Sequence, residues 1–241
     1  MPRRAPKPAF KRVVLKISGE SLCDEGGQGI SPKAVSKTAR QIRLAHETGV
    51  QMALVVGGGN ICRGRQLAAA GLQRTVCDHM GMLATVINAL ALQDELERQG
   101  LEVRVQTAIT MADVAEPYIR RRCIAHLDCG KVCILAAGTG NPFFSTDTAA
   151  VLRAREISAD ILLKATKVNG VYTCDPVKDP KARRFQRLPA QRALDEKLGV
   201  MDLTALTLAM EGGLPIRVFK LRKPGNVRAA VLGKSVGTLV N

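Results

Sequence analysis

The chain has 241 residues, enough for one or two domains with a buried core. Its 46% hydrophobic and 24% charged residues exclude a disordered, collagen-like or fibrous chain, and 3% aromatics without tryptophan argue against a single-strand stacking platform. Lysine and arginine number 36 against 21 aspartate and glutamate, a formal charge of +15 that points to an anionic partner: nucleic acid, a membrane surface or a phosphorylated small molecule.

In chain order, Arg3, Arg4, Lys7, Lys11 and Arg12 come first, with no apolar segment after them. Residues 1–10 therefore read as a flexible, solvated basic arm rather than a secretory signal. No run of 18 or more apolar residues follows, so no membrane span is expected. Short apolar, β-branched runs then read as buried strands at Val13–Ile17, Met52–Val56, Val103–Thr107, Val132–Ala136, Ile161–Lys164 and Ile216–Phe219. Between them, Ser31 caps a helix that begins at Pro32 and stops at Gly49. Asp78 opens a long helix to Arg98, closed by Gly100. Thr146 or Asp147 caps a helix running to Ile157, and Asp202 opens one ended by Gly212-Gly213. Strands alternating with helices predict an α/β fold with a mainly parallel sheet, in one domain over 11–241 whose two lobes meet near 150–165. The seven cysteines form no Cys-x-x-Cys pair, and Cys123, Cys129 and Cys133 with His126 complete no zinc spacing. They read as reduced thiols of a cytosolic protein.

In open parallel sheets, ligands bind beyond the carboxyl ends of the strands. The first strand ends in Lys16-Ile17-Ser18-Gly19-Glu20. A lysine inside an apolar strand needs an anion, and Gly19 lets the backbone approach a phosphate. The second ends in Gly57-Gly58-Gly59-Asn60, followed by Arg63. Three glycines free backbone N–H groups for an anion nest, and a helix starting near Ile61 would add its dipole. No Walker-type loop and no Gly-x-Gly-x-x-Gly fingerprint is present. After the fourth strand come Gly138, Thr139, Gly140, Asn141, Pro142, Phe143, Phe144, Ser145, Thr146 and Asp147, where Asn141 can pair with both donor and acceptor of an amide-like base edge. After the fifth, Lys164 to Tyr172 repeats the strand-end lysine. Two such lysines beside glycine loops suit several phosphates, and phosphoryl transfer needs mainly charge and in-line positioning.

These strings resemble the bacterial UMP kinases of the amino-acid-kinase superfamily. The matching segments also include Asp78-His79-Met80-Gly81-Met82-Leu83-Ala84-Thr85 and Leu214 to Phe219, and the likeness spans about residues 11–240 in order. The resemblance implies a three-layer α/β/α sandwich, Mg²⁺-dependent transfer from ATP to UMP in CTP biosynthesis, and a cytoplasmic homohexamer activated by GTP and inhibited by UTP. It implies that Lys16, Ile17, Ser18, Gly19, Gly59 and Arg63 meet the ATP phosphates, and that Thr166, Asn169, Tyr172 and Asp175 line the adenosine side. Asn169 departs from the aspartate many members carry there. Gly58, Asp78 and the run Thr139 to Thr146 would hold UMP. Lys16, Lys164 and Asp147 would stand at the transfer centre. There the lysines neutralise developing charge, while Asp147 either organises them or helps to hold Mg²⁺. Asp78 either accepts ribose hydroxyls, caps its helix, or both. Asp24, Glu25, Gly26, Gly27, Gln28 and Gly29 match the segment tied to GTP activation, and Arg104 and Lys131 match effector-side basic positions. Gln93 and Glu97, however, stand where GTP-binding members tend to have Arg and His. Two other readings compete: an amino-acid or carbamate kinase of the same plan, and a nucleic-acid-binding protein using the arm, Arg120-Arg121-Arg122 and Lys181 to Arg187.

Overall fold

The computed structural model describes residues 7–176 and 178–241. Residues 1–6 of the expected arm lie outside the described residues. Its last residues belong to the domain: Ala9 donates its N–H to the Val231 carbonyl at 3.0 Å, and Phe10 packs against the core.

Five of the expected strands extend one side of the sheet and its centre: β1 (Arg12–Ile17), β2 (Gln51–Val56), β3 (Val103–Thr107), β5 (Val132–Ala136) and β6 (Ile161–Thr166). The sixth, β8 (Ile216–Lys220), lies beside β6. Three short strands that carry no readable pattern complete the edges: β4 (Glu116–Pro117), β7 (Arg187–Leu188) and β9 (Thr238–Val240). The order is β4-β3-β5-β2-β1-β6-β8-β9-β7, parallel throughout except for β8 against β9.

Each central strand is apolar on both faces, so its residues alternate between two cores. Val13, Leu15 and Ile17 of β1 point to one core and Val14 to the other; Leu163 and Leu162 of β6 divide the same way. The first core is covered by α1 (Pro32–His46), α3 (Arg74–Arg98) and α8 (Asn226–Val231). The second is covered by α4 (Arg120–Asp128), α5 (Thr146–Glu156), α6 (Ala190–Asp195) and α7 (Leu203–Glu211). This is a three-layer α/β/α sandwich. Complete burial of residues such as Leu15, Leu54, Ile134 and Phe219 contributes about 1.5–3 kcal/mol each.

Helix starts show where local sequence misleads. At α1 the Ser31 hydroxyl accepts from the Ala34 N–H and Pro32 takes the first position, as expected. The long helix starts four residues earlier than expected, at Arg74, because its cap, Gln73, makes no side-chain bond that the sequence would advertise. Asp78 is therefore not a helix cap; it lies in the second turn. α5 is capped by Ser145, which accepts from the N–H groups of Asp147 and Thr148, so neither Thr146 nor Asp147 is the cap. No helix begins at Ile61. The chain turns there and α2 (Gly64–Ala69) follows.

The sheet reverses direction of growth between β1 and β6. After β1 the chain moves to the α1 face and on to β2; after β6 it moves to the α6 and α7 face. A crevice opens at such a switch point, beyond the carboxyl ends of both strands.

Gly237 closes the loop into β9 with φ +64, and a Cβ there would strike the Val218 carbonyl oxygen and approach Phe219 Cβ at 2.8 Å. Gly213 has a similar φ of +60 in open space. Urea unfolding should therefore show Gly213→Ala costing about 1 kcal/mol from backbone strain alone and Gly237→Ala costing clearly more. Equal losses would contradict the close approach of the two strands' loops.

Candidate active site

Lys16 of β1 and Lys164 of β6 are register partners at the switch point. Strand alternation sends both side chains to the α5 face, where the first turn of α5 carries Asp147. The Asp147 carboxylate is divided between them: Oδ1 lies 2.7 Å from Lys16 Nζ and Oδ2 lies 2.6 Å from Lys164 Nζ. The three side chains are only 11%, 12% and 15% exposed. Lys164 Nζ also donates to the Val200 carbonyl.

Burial pushes the Asp147 carboxyl up, but the charges of Lys16 and Lys164 and their hydrogen bonds outweigh it and hold the group below the ordinary carboxylate range. Burial holds the Lys164 ammonium below its ordinary range, with Asp147 opposing that shift and the charge of Lys16 adding to it. Within this trio two cations face one anion, leaving it net positive in a desolvated place at the strand ends, with the Asp202 carboxylate as the further countercharge on Lys164. Such a charge is costly unless an anion arrives.

Asp202 backs this cluster, a role its sequence position at a helix start did not reveal. It accepts from the Ser145 hydroxyl and, at 3.0 Å, from Thr148 Oγ1, while also capping α7 through the Ala205 N–H at 2.9 Å. It thereby locks the start of α5, and hence Asp147, to α7.

The glycine loop after β2 abuts β1. A Cβ on Gly19 would strike Asn60 Oδ1 and lie 2.6 Å from the Gly57 carbonyl oxygen, so protein crowding by itself already demands glycine there. A Cβ on Gly58 would lie 2.8 Å from Ala84 Cβ of α3. Gly59 alone of these faces open space. The Ile17 side chain is buried in the core, which leaves only its backbone to the site. Ser18 precedes the 3₁₀ turn Gly19–Ser21 and caps nothing through its side chain.

Two buried polar residues of α3, missed in the sequence, fix these loops. Asn88 is fully buried and exchanges hydrogen bonds with the Asn60 amide, and its Nδ2 reaches the Gly57 carbonyl at 2.8 Å. Thr85 Oγ1 accepts from the Ala137 N–H at 2.8 Å. Ala137 follows β5 with φ +61, a left-handed conformation that costs a non-glycine residue energy and turns the chain sharply into Gly138. The only sequence signal for either was a polar side chain at helical spacing in an apolar helix.

The loop from Thr139 to Thr146 meets Asp78: the Phe143 N–H donates to Asp78 Oδ2 at 2.8 Å, and Arg74 is paired to the same carboxylate at 2.9 Å. Phe143 also has a positive φ of 72, and Phe143 and Phe144 are 67% and 52% exposed. Gly140 curls back to the Ala137 carbonyl, and the Asn141 N–H bonds Thr139 Oγ1. Arg63 donates to the Gly59 carbonyl and pairs with Glu20. Thr166 Oγ1 donates to the Val168 carbonyl. Asn169, Tyr172 and Asp175 sit on the excursion after β6, which Tyr172 closes by bridging to Arg184 and which Val171 anchors to Thr238.

The expected effector residues do not form one group. The 24–29 loop is bound at Gly29 to Asn60, near the strand carboxyl ends. Arg104 and Lys131 lie at the amino ends of β3 and β5, beside Glu116 and Glu102. A cleft of about 680 Å³ beside α1, lined by Ser21, Lys37, Arg40 and Leu221 among others, includes none of the lysine-cluster residues.

Residues 11–220 match the model of the amino acid kinase family. The chain is 53% identical over 234 residues to a uridylate kinase of Ectopseudomonas mendocina, covering 97% of this chain and 95% of that one. Its fold is similar to UMP kinase from Bacillus anthracis, at a TM-score of 0.93 and 40% identity with 96% of each chain covered. It is similar as well to UMP kinase from Ureaplasma parvum, at 0.90 and 33%, with 96% and 98% covered.

A carboxylate whose folded pKa is depressed adds stability above its unfolded pKa and loses it as pH falls through the folded value. Asp147→Asn should be less stable than the parent chain at pH 7, with the gap narrowing as pH falls below about 4, measured by urea unfolding across pH. A gap constant down to about pH 2 would contradict a depressed Asp147.

Proposed function

The chain belongs to the amino acid kinase family, and on that premise we propose its reaction: transfer of the γ-phosphoryl group of ATP to UMP, giving ADP and UDP. The observation that carries it is the buried, net-positive Lys16–Asp147–Lys164 cluster at the switch point. The Asp78 and Gly138–Ser145 segments border it on the β5 side, and the 166–175 segment borders it on the β6 side.

A phosphate oxygen of UMP attacks the γ-phosphorus, the bond to the β–γ bridging oxygen breaks, and ADP leaves with that electron pair. The acceptor is already ionised, so no side chain need act as a base. Lys16 and Lys164 stabilise charge on the transferred group and the leaving oxygen, where preorganised cations in a dry site count most. Asp147 spaces and orients the two ammonium groups. Arg63 grips phosphate oxygens with its planar fork. Lys16 to Gly19, Gly59, Thr166, Asn169, Tyr172 and Asp175 hold ATP, with Ile17 and Gly19 acting through the backbone. Gly58, Asp78 and Thr139 to Thr146 hold UMP. The two halves of the domain, meeting near 150–165, thus divide the substrates.

Mg²⁺ fits as the ion carried in by ATP. Among the described residues no cluster of three His, Cys, Asp or Glu side chains exists to bind it alone, and Asp147 is already engaged by two lysines. The phosphate oxygens would supply most of its ligands, and the ion would neutralise β- and γ-phosphate charge. The product UDP places the reaction in pyrimidine nucleotide synthesis toward CTP, in the cytoplasm. UTP, as a product-like ligand, inhibits at the UMP site, and GTP activates through the 24–29 loop near the strand carboxyl ends. A coupled ADP-release assay should show turnover with UMP, and Lys16→Ala or Lys164→Ala should each lower kcat by about 10²-fold or more. Turnover with aspartate or carbamate but not UMP would overturn this reading.

We further propose a homohexamer that uses α3 as one of its faces. Leu72, Val76, Met80, Leu83 and Ile87 are all exposed on or just before this helix, at three- or four-residue steps that make one apolar stripe. A second copy of the chain covers it most simply, since isologous patches self-complement. Light scattering after size-exclusion should give a hexamer for the parent chain and smaller species for Leu83→Glu/Ile87→Glu. An unchanged mass in the double variant would remove α3 from the interface.

A further inference from the structure

Glu20 carries a cation on each of its carboxylate oxygens. It sits in the 3₁₀ turn directly after β1, held by hydrogen bonds from the Ser21 N–H to the Ser18 carbonyl and from the Leu22 N–H to the Gly19 carbonyl. Its carboxylate is divided as Asp147 is: Oε1 lies 2.9 Å from an Arg63 nitrogen and Oε2 lies 2.7 Å from Lys167 Nζ. The hydrogen bond from Lys167, with the charges of Lys167, Arg63 and Lys16, outweighs partial burial and keeps Glu20 ionised at neutral pH. The setting differs from that of Asp147 in one respect. Arg63 and Lys167 are 46% and 68% exposed, whereas the lysines on Asp147 are nearly buried. Solvent-screened pairs are weak and exchangeable, and a polyphosphate offers Arg and Lys the same charge-assisted bonds with more negative charge than one carboxylate carries.

We propose that Glu20 is an internal stand-in for the nucleotide's phosphates, and that Lys167 is a further phosphate-binding residue. This rests on the kinase reading above. When ATP enters, Arg63 and Lys167 pass from the Glu20 carboxylate to phosphate oxygens, and both ion pairs are broken. Glu20 is thus a positioning residue. It keeps two mobile cations at the mouth of the site and sets how tightly the site holds a polyphosphate.

The test measures binding, apart from turnover. Isothermal titration with ATP in EDTA and with inorganic tripolyphosphate would be run on the parent chain, Glu20→Gln, Lys167→Met and the double variant. Glu20→Ala serves as a second removal of the carboxylate should Glu20→Gln fold poorly. Removing Glu20 should tighten binding of both anions about 3- to 30-fold, the worth of one or two screened ion pairs. Lys167→Met should cost more affinity in the Glu20→Gln background than in the parent chain, because Lys167 then gives up a phosphate contact without recovering Glu20. Unchanged or weaker binding on removing Glu20, or an equal cost of Lys167→Met in both backgrounds, overturns the proposal while leaving the kinase reading intact. Failure of the parent chain to bind either anion overturns both.

Discussion

One carboxylate held between two lysines organises this molecule. Lys16 and Lys164 stand side by side on neighbouring parallel strands, and two like charges at that spacing in a desolvated place repel strongly. Asp147 makes the arrangement tolerable and fixes both ammonium groups through opposite oxygens. Breaking a buried arrangement of this kind by removing one partner is far more costly than the net worth of the pair. The trio keeps one unmatched positive charge where the two strands end.

Much of the surrounding structure exists to hold that carboxylate and the loops opposite it. Ser145 caps α5 and simultaneously donates to Asp202, which caps α7. The position of Asp147 is therefore determined by two helix starts bound together. Across the crevice, the Asn60–Asn88 amide pair and Thr85 tie the glycine loop and the strained Ala137 to the long helix α3. Every one of these groups is a polar atom satisfied inside the protein, where an unmade bond would cost about 1–3 kcal/mol. Rigidity at the strand ends is the result, and preorganised charge is the use it serves.

The sequence displayed the strands that build the sheet's interior, because a strand covered on both faces must be apolar throughout. Val103–Thr107 and Val132–Ala136 coincide with the structure residue for residue. The edge strands at Glu116–Pro117 and Arg187–Leu188 were illegible, since two residues carry no periodicity. Lys16, Lys164 and Asp147 were legible as a group because a charge at the end of an apolar strand is desolvated and must meet an opposite charge. Gly19 and Gly58 were legible as glycines of ligand loops, but not as positions that neighbouring protein atoms also crowd. Asn88, Thr85 and Asp202 were hidden because their importance lies in partners far away in the chain. The excess of +15 also changes meaning. Among the described residues, Lys16, Arg63, Lys164 and Lys167 stand at the strand ends already shared by two carboxylates, Asp147 and Glu20.

The central claim is that the Lys16–Asp147–Lys164 cluster receives the transferred phosphoryl group. A crystal structure with UMP, Mg²⁺ and a non-hydrolysable ATP analogue tests it most directly. A terminal phosphate is expected within hydrogen-bond distance of both Nζ atoms, with Asp147 still between the lysines. Nucleotide phosphates bound away from both lysines, for instance in the cleft beside α1, would contradict it.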